Sequence, residues 1–262
     1  MRNKIDDLDM YSAVEIYEMI LSGKIKRFPP YFWKNEFSLD YAKEIGMYII
    51  EKHFSNDDER ILKEYGNTFI NRIRLHSALK LFDGKAFEYF DFIYPHRFRP
   101  WQFRSCPNSY WNTETAIEAT KWLIDEHLKW NQKDVQEKLT YKTFKDNKLN
   151  GMLSTVFDDS IFNAMNTAYP NVYLPWNFCH VPKNFWKLEK NVIDALQWLI
   201  ETKLHLSTNE LANNLTIDVL TQNGLSGMLR WYHGIPYDIL EKLYPDVDWN
   251  KTRQYKTRYQ KK

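Results

Sequence analysis

The dipeptide Tyr-Pro recurs at a constant step: Tyr94-Pro95, Tyr169-Pro170 and Tyr244-Pro245, 75 residues apart each time. A tryptophan follows each pair, at Trp101, Trp176 and Trp249. Two longer phrases align around the first two pairs, PWQFRSCPNSYW from Pro100 and PWNFCHVPKNFW from Pro175, and FPPYFW from Phe28 repeats their second half. Self-similarity at a fixed period means that one supersecondary unit is built repeatedly, so the fold of one unit decides the fold of the chain. The period exceeds that of helix-pair solenoids and suits a small three- to five-helix module. The expected organisation is a leader helix within 1–27, a divergent module at 28–106, modules at 107–181 and 182–249, and a tail at 250–262.

Within a unit the apolar spacing is helical. Ala116/Ile117, Thr120, Leu123/Ile124 and His127/Leu128 recur at i, i+3/4 and i+7, and Val192/Ile193, Leu196, Leu199/Ile200 and Lys203/Leu204 repeat the pattern. Asn112 or Thr113 is placed to cap the first of these helices. Further helices are expected over Gln132 to Leu139, over TYKTFKDN from Thr140, over LNGMLSTVF from Leu149, and from Asp159 or Ser160 to Tyr169. Pro170 stops the last, because proline lacks an N–H and disfavours helix at the residue before it. Asp158-Asp159 and Asp57-Asp58-Glu59 read as acids at helix N-termini, where the dipole favours them. Only 8 glycines and 10 prolines occur in 262 residues, which disfavours a turn-rich β architecture. The expected class is all-α: three tandem helical modules of about 75 residues, each with a helix-turn-helix-like segment.

That segment runs through TYKTFKDNKLNGMLSTVF in the second module, with Asn147 as the expected left-handed helix end, and through Asn223-Gly224 in the third. Gly151 and Gly227 then sit inside the following helix, at a cost of about 1 kcal/mol each relative to alanine. A close approach by a neighbouring helix, or by a nucleic-acid backbone, would explain keeping them. The first module carries His76 where the second carries Gly151.

The repeat as a whole, with its WLIxxxL helix, LxGML and Tyr-Pro…Trp…Pro-x-x-Tyr/Phe-Trp joint, resembles tandem-repeat proteins of unknown function from Bacillus-type bacteria and their prophages. The run from Leu149 to Ala164, with Phe157, Ser160 and Ala164 in order, is also similar to the helix-turn-helix repeats appended to homing endonucleases. That second resemblance implies a groove-reading helix and double-stranded DNA as partner.

Charge supports the same expectation. The last thirteen residues hold six Lys/Arg and no acid, and the remainder carries 30 basic against 34 acidic residues. Yet the segments flanking the turn are neutral to basic in all three modules. The expected nucleic-acid-binding residues are Arg72, Arg74, His76 and Lys80 in the first module, Lys142, Lys145, Lys148 and Asn150 in the second, and Asn223, Ser226 and Arg230 in the third. Lys251, Arg253, Lys256 and Arg258 of the tail would add phosphate contacts. Arg72 and Arg74 have an alternative use, pairing with the acids of Asp57 to Glu64. The recurring tryptophans, Trp33, Trp111, Trp122, Trp186 and Trp198, read as core or joint residues.

Nothing in the spacing spells a reaction. The seven histidines show no HExxH pattern, and neither a phosphate-cradling glycine loop nor a GxSxG elbow is present. No enzyme activity, cofactor or metal is expected. The two cysteines, Cys106 and Cys179, imply no disulfide framework and suit a reducing cytoplasm. No signal peptide or membrane span is visible. The leading expectation is a cytoplasmic DNA-binding repeat protein, a phage or mobile-element regulator. The alternative is a scaffold of stacked helical repeats that holds a protein partner and has no nucleic-acid role.

Overall fold

The computed structural model describes residues 10–104, 106–178 and 180–249, and among them the regular structure is helical throughout, in tandem repeats. The chain divides into two compact units, 1–107 and 108–262. The tail residues Lys251, Arg253, Lys256 and Arg258 lie outside the described residues, as does Cys179. Cys106 is a free, half-buried thiol, and burial pushes its pKa up to about 11.

The first unit contains α1 (Ala13–Leu21), α2 (Ser38–Phe54), α3 (Asp58–Glu64), α4 (Asn67–Arg72), a 3-10 turn at Ala78–Phe82 and α5 (Ala86–Ile93). Ser12 caps α1 in a capping box with Glu15, satisfying two end groups reciprocally. α1 and α5 both pack on α2. They share a pattern that the Tyr-Pro spacing does not reveal, Ala13-x-Glu15 to Ile20 and Ala86-x-Glu88 to Ile93. The leader thus supplies a second copy of the repeat's last helix, and Ala13, Ile16 and Tyr17 join the core of this unit with Ile45, Ile49 and Phe90. The Tyr17 hydroxyl donates to the Ile73 carbonyl and that of Tyr89 to Ala42, so both buried phenols are satisfied.

The second unit holds two repeats. The first comprises α6 (Thr113–Lys121), which runs into a π-helix at Trp122–Leu128, then α7 (Gln132–Lys138), α8 (Tyr141–Asp146), α9 (Asn150–Phe157) and α10 (Ile161–Ala168). The next comprises α11 (Glu189–Gln197), a π-helix at Trp198–Lys203, α12 (Thr208–Asn214), α13 (Ile217–Gln222), α14 (Ser226–Trp231) and α15 (Tyr237–Leu243). Asn112, Ser160 and Thr216 cap their helices by accepting a first-turn N–H. The switch from α to π pairing falls at the same tryptophan in both repeats, a change that apolar periodicity does not disclose. It leaves His127 exposed, off the expected apolar face, while Leu123, Ile124, Leu199 and Ile200 are buried. The core of the last repeat extends upstream of Pro182 to include Trp176, which contacts Phe185, Trp186 and Trp198.

The Tyr-Pro pairs end three equivalent helices. Tyr94, Tyr169 and Tyr244 share a non-helical backbone, φ −130 to −133°, and each donates its N–H four residues back. Proline at the next position excludes the helical conformation there, so one dipeptide ends α5, α10 and α15 alike. Trp249, however, packs on Tyr237 within its own repeat and donates Nε1–H to the Tyr244 carbonyl, so it is not the counterpart of Trp176.

Candidate nucleic-acid interface

The turn after α4, α8 and α13 is the same three times. Arg74, Lys148 and Gly224 take the left-handed backbone at φ 61°, 61° and 82°. Each donates its N–H three residues back, to Asn71, Lys145 and Thr221. The next residues, Leu75, Leu149 and Leu225, donate five back, to Ile70, Phe144 and Leu220, at 2.8–3.0 Å. These paired bonds form a Schellman motif, and its apolar clasp is complete because all six residues of the clasp are buried. The left-handed residue is therefore Lys148 and not Asn147, whose φ is −98°. Asn147 instead donates its side-chain amide to the Thr143 carbonyl, as Asn223 does to Val219. Register through this motif sets Ser77, not His76, opposite Gly151.

A second repeated turn follows. Asp83/Gly84, Asp158/Asp159 and His233/Gly234 all have positive φ. Asp158 and Asp159 are thus loop residues ahead of the Ser160 cap and not part of a helix.

The interior glycine serves the fold. A Cβ on Gly227 would lie 2.6 Å from Trp186 Nε1 and 3.1 Å from its Cδ1. α14 accordingly packs on the 3-10 turn Phe185–Lys187, and α9, which carries Gly151, packs on the corresponding turn Asn108–Tyr110. The close approach at Gly227 is to an indole of the same repeat. At Gly224 a Cβ would run into the Trp176 carbonyl oxygen, so the joint packs against that turn.

The expected contact residues are used unequally. Arg72 lies over the Phe69 ring, 5.4 Å from its centroid. Arg74 donates to the Ile20 carbonyl at 3.2 Å, tying the turn to the C-terminal end of α1. Neither arrangement is the alternative pairing with Asp57 to Glu64, since Asp58 bonds Arg97 and Glu64 pairs with Arg60. His76 Nδ1 is bonded to Asn71 Oδ1. Lys142 is paired with Asp146 at 2.6 Å, and partial desolvation lowers the ammonium pKa of Lys148. Lys145 is exposed on α8, Asn150 begins α9, and Ser226 and Arg230 are exposed on α14. The cations of the second repeat thus lie before the turn or, at Lys148, in it, and α9, the helix after it, has none.

Two of these residues meet in a groove of about 530 Å³ in the first unit. Arg74 and Lys80 line it with Lys26, Arg27 and Lys34, residues the sequence reading passed over, and Phe28, Tyr31 and Trp33 supply aromatic walls. No carboxylate lines it. The adjacent groove over α1 has Glu15 and Glu18 among its walls and lacks that bias. The missed signal lies in KIKRFPPYFWK, from Lys24 to Lys34: four cations, four aromatics and no acid, inside a joint whose counterparts are neutral to weakly basic. Trp33 also keeps its Nε1–H buried with no acceptor among the described residues.

Repeat comparison explains why a groove opens here. Phe28 touches Phe32 and Trp33 as Trp176 touches Phe185 and Trp186. The step from Phe28 to Trp33 is five residues, against ten from Trp176 to Trp186. The shorter joint leaves the turn at Arg74 lining the groove, whereas in the third repeat the Trp176 carbonyl of the longer joint lies against the turn at Gly224.

Among the described residues no helix is long and apolar enough to cross a membrane, and no cluster of three His, Cys, Asp or Glu is placed to hold a metal. No curated protein and no solved structure matches the chain. One family profile, that of a protein of unknown function (DUF4046), matches three times in tandem, at residues 13–99, 92–174 and 175–249. With these matches running from α1 to Trp249, the chain belongs to the DUF4046 family.

Proposed function

We propose that this protein binds nucleic acid, with DNA as its target and the first repeat as the main contact. The observation that carries the reading is the groove walled by five cations and no carboxylate, in a chain whose acids nearly equal its bases. A polyanion releases condensed counterions when such a surface neutralises its phosphates. Exposed Lys145 and Arg230 would add weaker contacts, and the basic tail a non-specific one. The role is that of a binder in the cytoplasm and not of an enzyme, and control of a phage or mobile element is the function it would serve.

The test is fluorescence anisotropy of a mixed-sequence duplex at about 50 and 200 mM salt. The wild type is compared with Lys26→Glu/Lys80→Glu, two exposed residues that make no side-chain hydrogen bond or ion pair among the described residues. Steep weakening with salt, and a further loss on charge reversal, support the reading. Binding indifferent to the reversal would assign affinity to the tail, and no binding at low salt would end the proposal.

A second reading has its own support. The repeated residues Gly227, Trp176 and Trp186, with Gly224 beside them, are spent on one another, as in a scaffold of stacked repeats. On that reading the protein holds a protein partner, and nucleic acid has no effect on it.

A further inference from the structure

The groove has one feature that phosphate binding does not require. Tyr31 stands at its rim with 76% of its surface exposed and a left-handed backbone, φ 64°. A bulky residue meets a steric cost in that conformation. The counterpart in the third repeat, two residues after Pro182, is Asn184 at φ 63°, a residue type that tolerates it. The first repeat thus keeps a strained backbone and uses it to hold an aromatic ring in solvent. Among the described residues neither burial nor a ring partner accounts for Tyr31, since its neighbours Phe28, Phe32 and Trp33 pack on each other instead.

Ring and cations are arranged for a chain that alternates flat rings with negative charges. Lys26, Arg27 and Lys34 flank the ring in sequence, and Arg74, Ser77 and Lys80 line the same groove. In the third repeat the Trp176 carbonyl of a longer joint lies against the corresponding turn at Gly224. A second copy's basic tail is a poor occupant, because like charges would meet. From this juxtaposition we propose that the groove binds single-stranded nucleic acid, with an unpaired base stacked on Tyr31 and the flanking phosphates on Lys26, Arg27, Lys34, Arg74 and Lys80. The inference rests on the nucleic-acid reading above and narrows it from duplex phosphates to exposed bases. Stacking of this kind tolerates any base, so little sequence preference is expected.

The experiment uses the full chain at low salt and three labelled probes: a thymidine decamer, an abasic strand of the same length and charge, and a duplex of that length. The wild type is expected to bind the thymidine strand about tenfold more tightly than the abasic one. Tyr31→Asn, which installs the residue of the third repeat, removes that difference without weakening the abasic strand. Tyr31→Trp restores it. Equal affinity of the wild type for thymidine and abasic strands overturns the base site while leaving the nucleic-acid reading intact. A duplex bound more tightly than the thymidine strand, with Tyr31→Asn silent, overturns it in the same way. If none of the probes binds, both proposals fall together.

Discussion

Replacing Gly227 by alanine separates the two explanations of the interior glycine. A helix interior gains about 1 kcal/mol from this change where space allows, so a glycine kept for an external nucleic-acid backbone would yield a more stable variant. The structure argues otherwise. The new Cβ would meet the Trp186 indole at 2.6 Å and 3.1 Å, well inside ordinary contact distance. Trp186 is buried, has Phe185 edge-on and Trp176 beside it, and cannot yield cheaply. Overpacking of this kind costs roughly 1–3 kcal/mol, and a rigid ring belongs at the upper end. Against the propensity gain the net loss is about 2 kcal/mol, or a fall in Tm of roughly 4–8 °C for a unit of this size. Far-UV circular dichroism during heating reads it directly. Repeating the substitution in a Trp186→Phe background, which removes the Nε1 edge, should recover about 1 kcal/mol of the loss. A raised Tm for Gly227→Ala alone, or no coupling to Trp186, would refute the internal-packing argument.

The left-handed turn offers a paired expectation. Gly224→Ala combines an unfavourable φ with a clash against the Trp176 carbonyl and should cost about 3 kcal/mol, whereas Lys148→Gly at the equivalent position should raise Tm by a few degrees; equal effects of the two would contradict the shared turn. His53 governs an acid limb of stability. Burial lowers its pKa first, helped by the charges of Lys52, Arg72 and Arg60, and its Nε2 is buried without a partner among the described residues. With the folded pKa below the ordinary value of about 6.5, the unfolded chain takes the proton first on acidification. Stability from this group is whole above about pH 6.5 and is lost as pH falls through the window beneath it, so Tm should drop between about pH 7 and 5 and the drop should flatten in His53→Phe.

Some of this architecture is legible without coordinates because its causes are local. Tyr-Pro ends a helix through the sterics of two adjacent residues, so the 75-residue step marks equivalent ends of α5, α10 and α15. Caps such as Asn112 and Ser160 act within three residues, and buried pairs such as Leu123/Ile124 follow helical spacing. Near misses are local too: Asn147 was the natural candidate for the left-handed position, but the Schellman bonds place Lys148 there.

Other features were decided only when residues distant in the chain came together. The order of residues cannot say whether Gly227 faces an indole 41 positions earlier or a ligand, because both explanations leave the same glycine. Nor can it say that Arg74 is tied to the end of α1, or that Arg72 rests on Phe69 and not against a carboxylate. The groove is the clearest case. Lys26 and Lys80 are brought to one groove because α1 and the segment after it fold back on the turn that follows α4, where Arg74 bonds the Ile20 carbonyl. Composition and periodicity set which helices form and where they stop. Packing between segments more than forty residues apart set which charges share a wall.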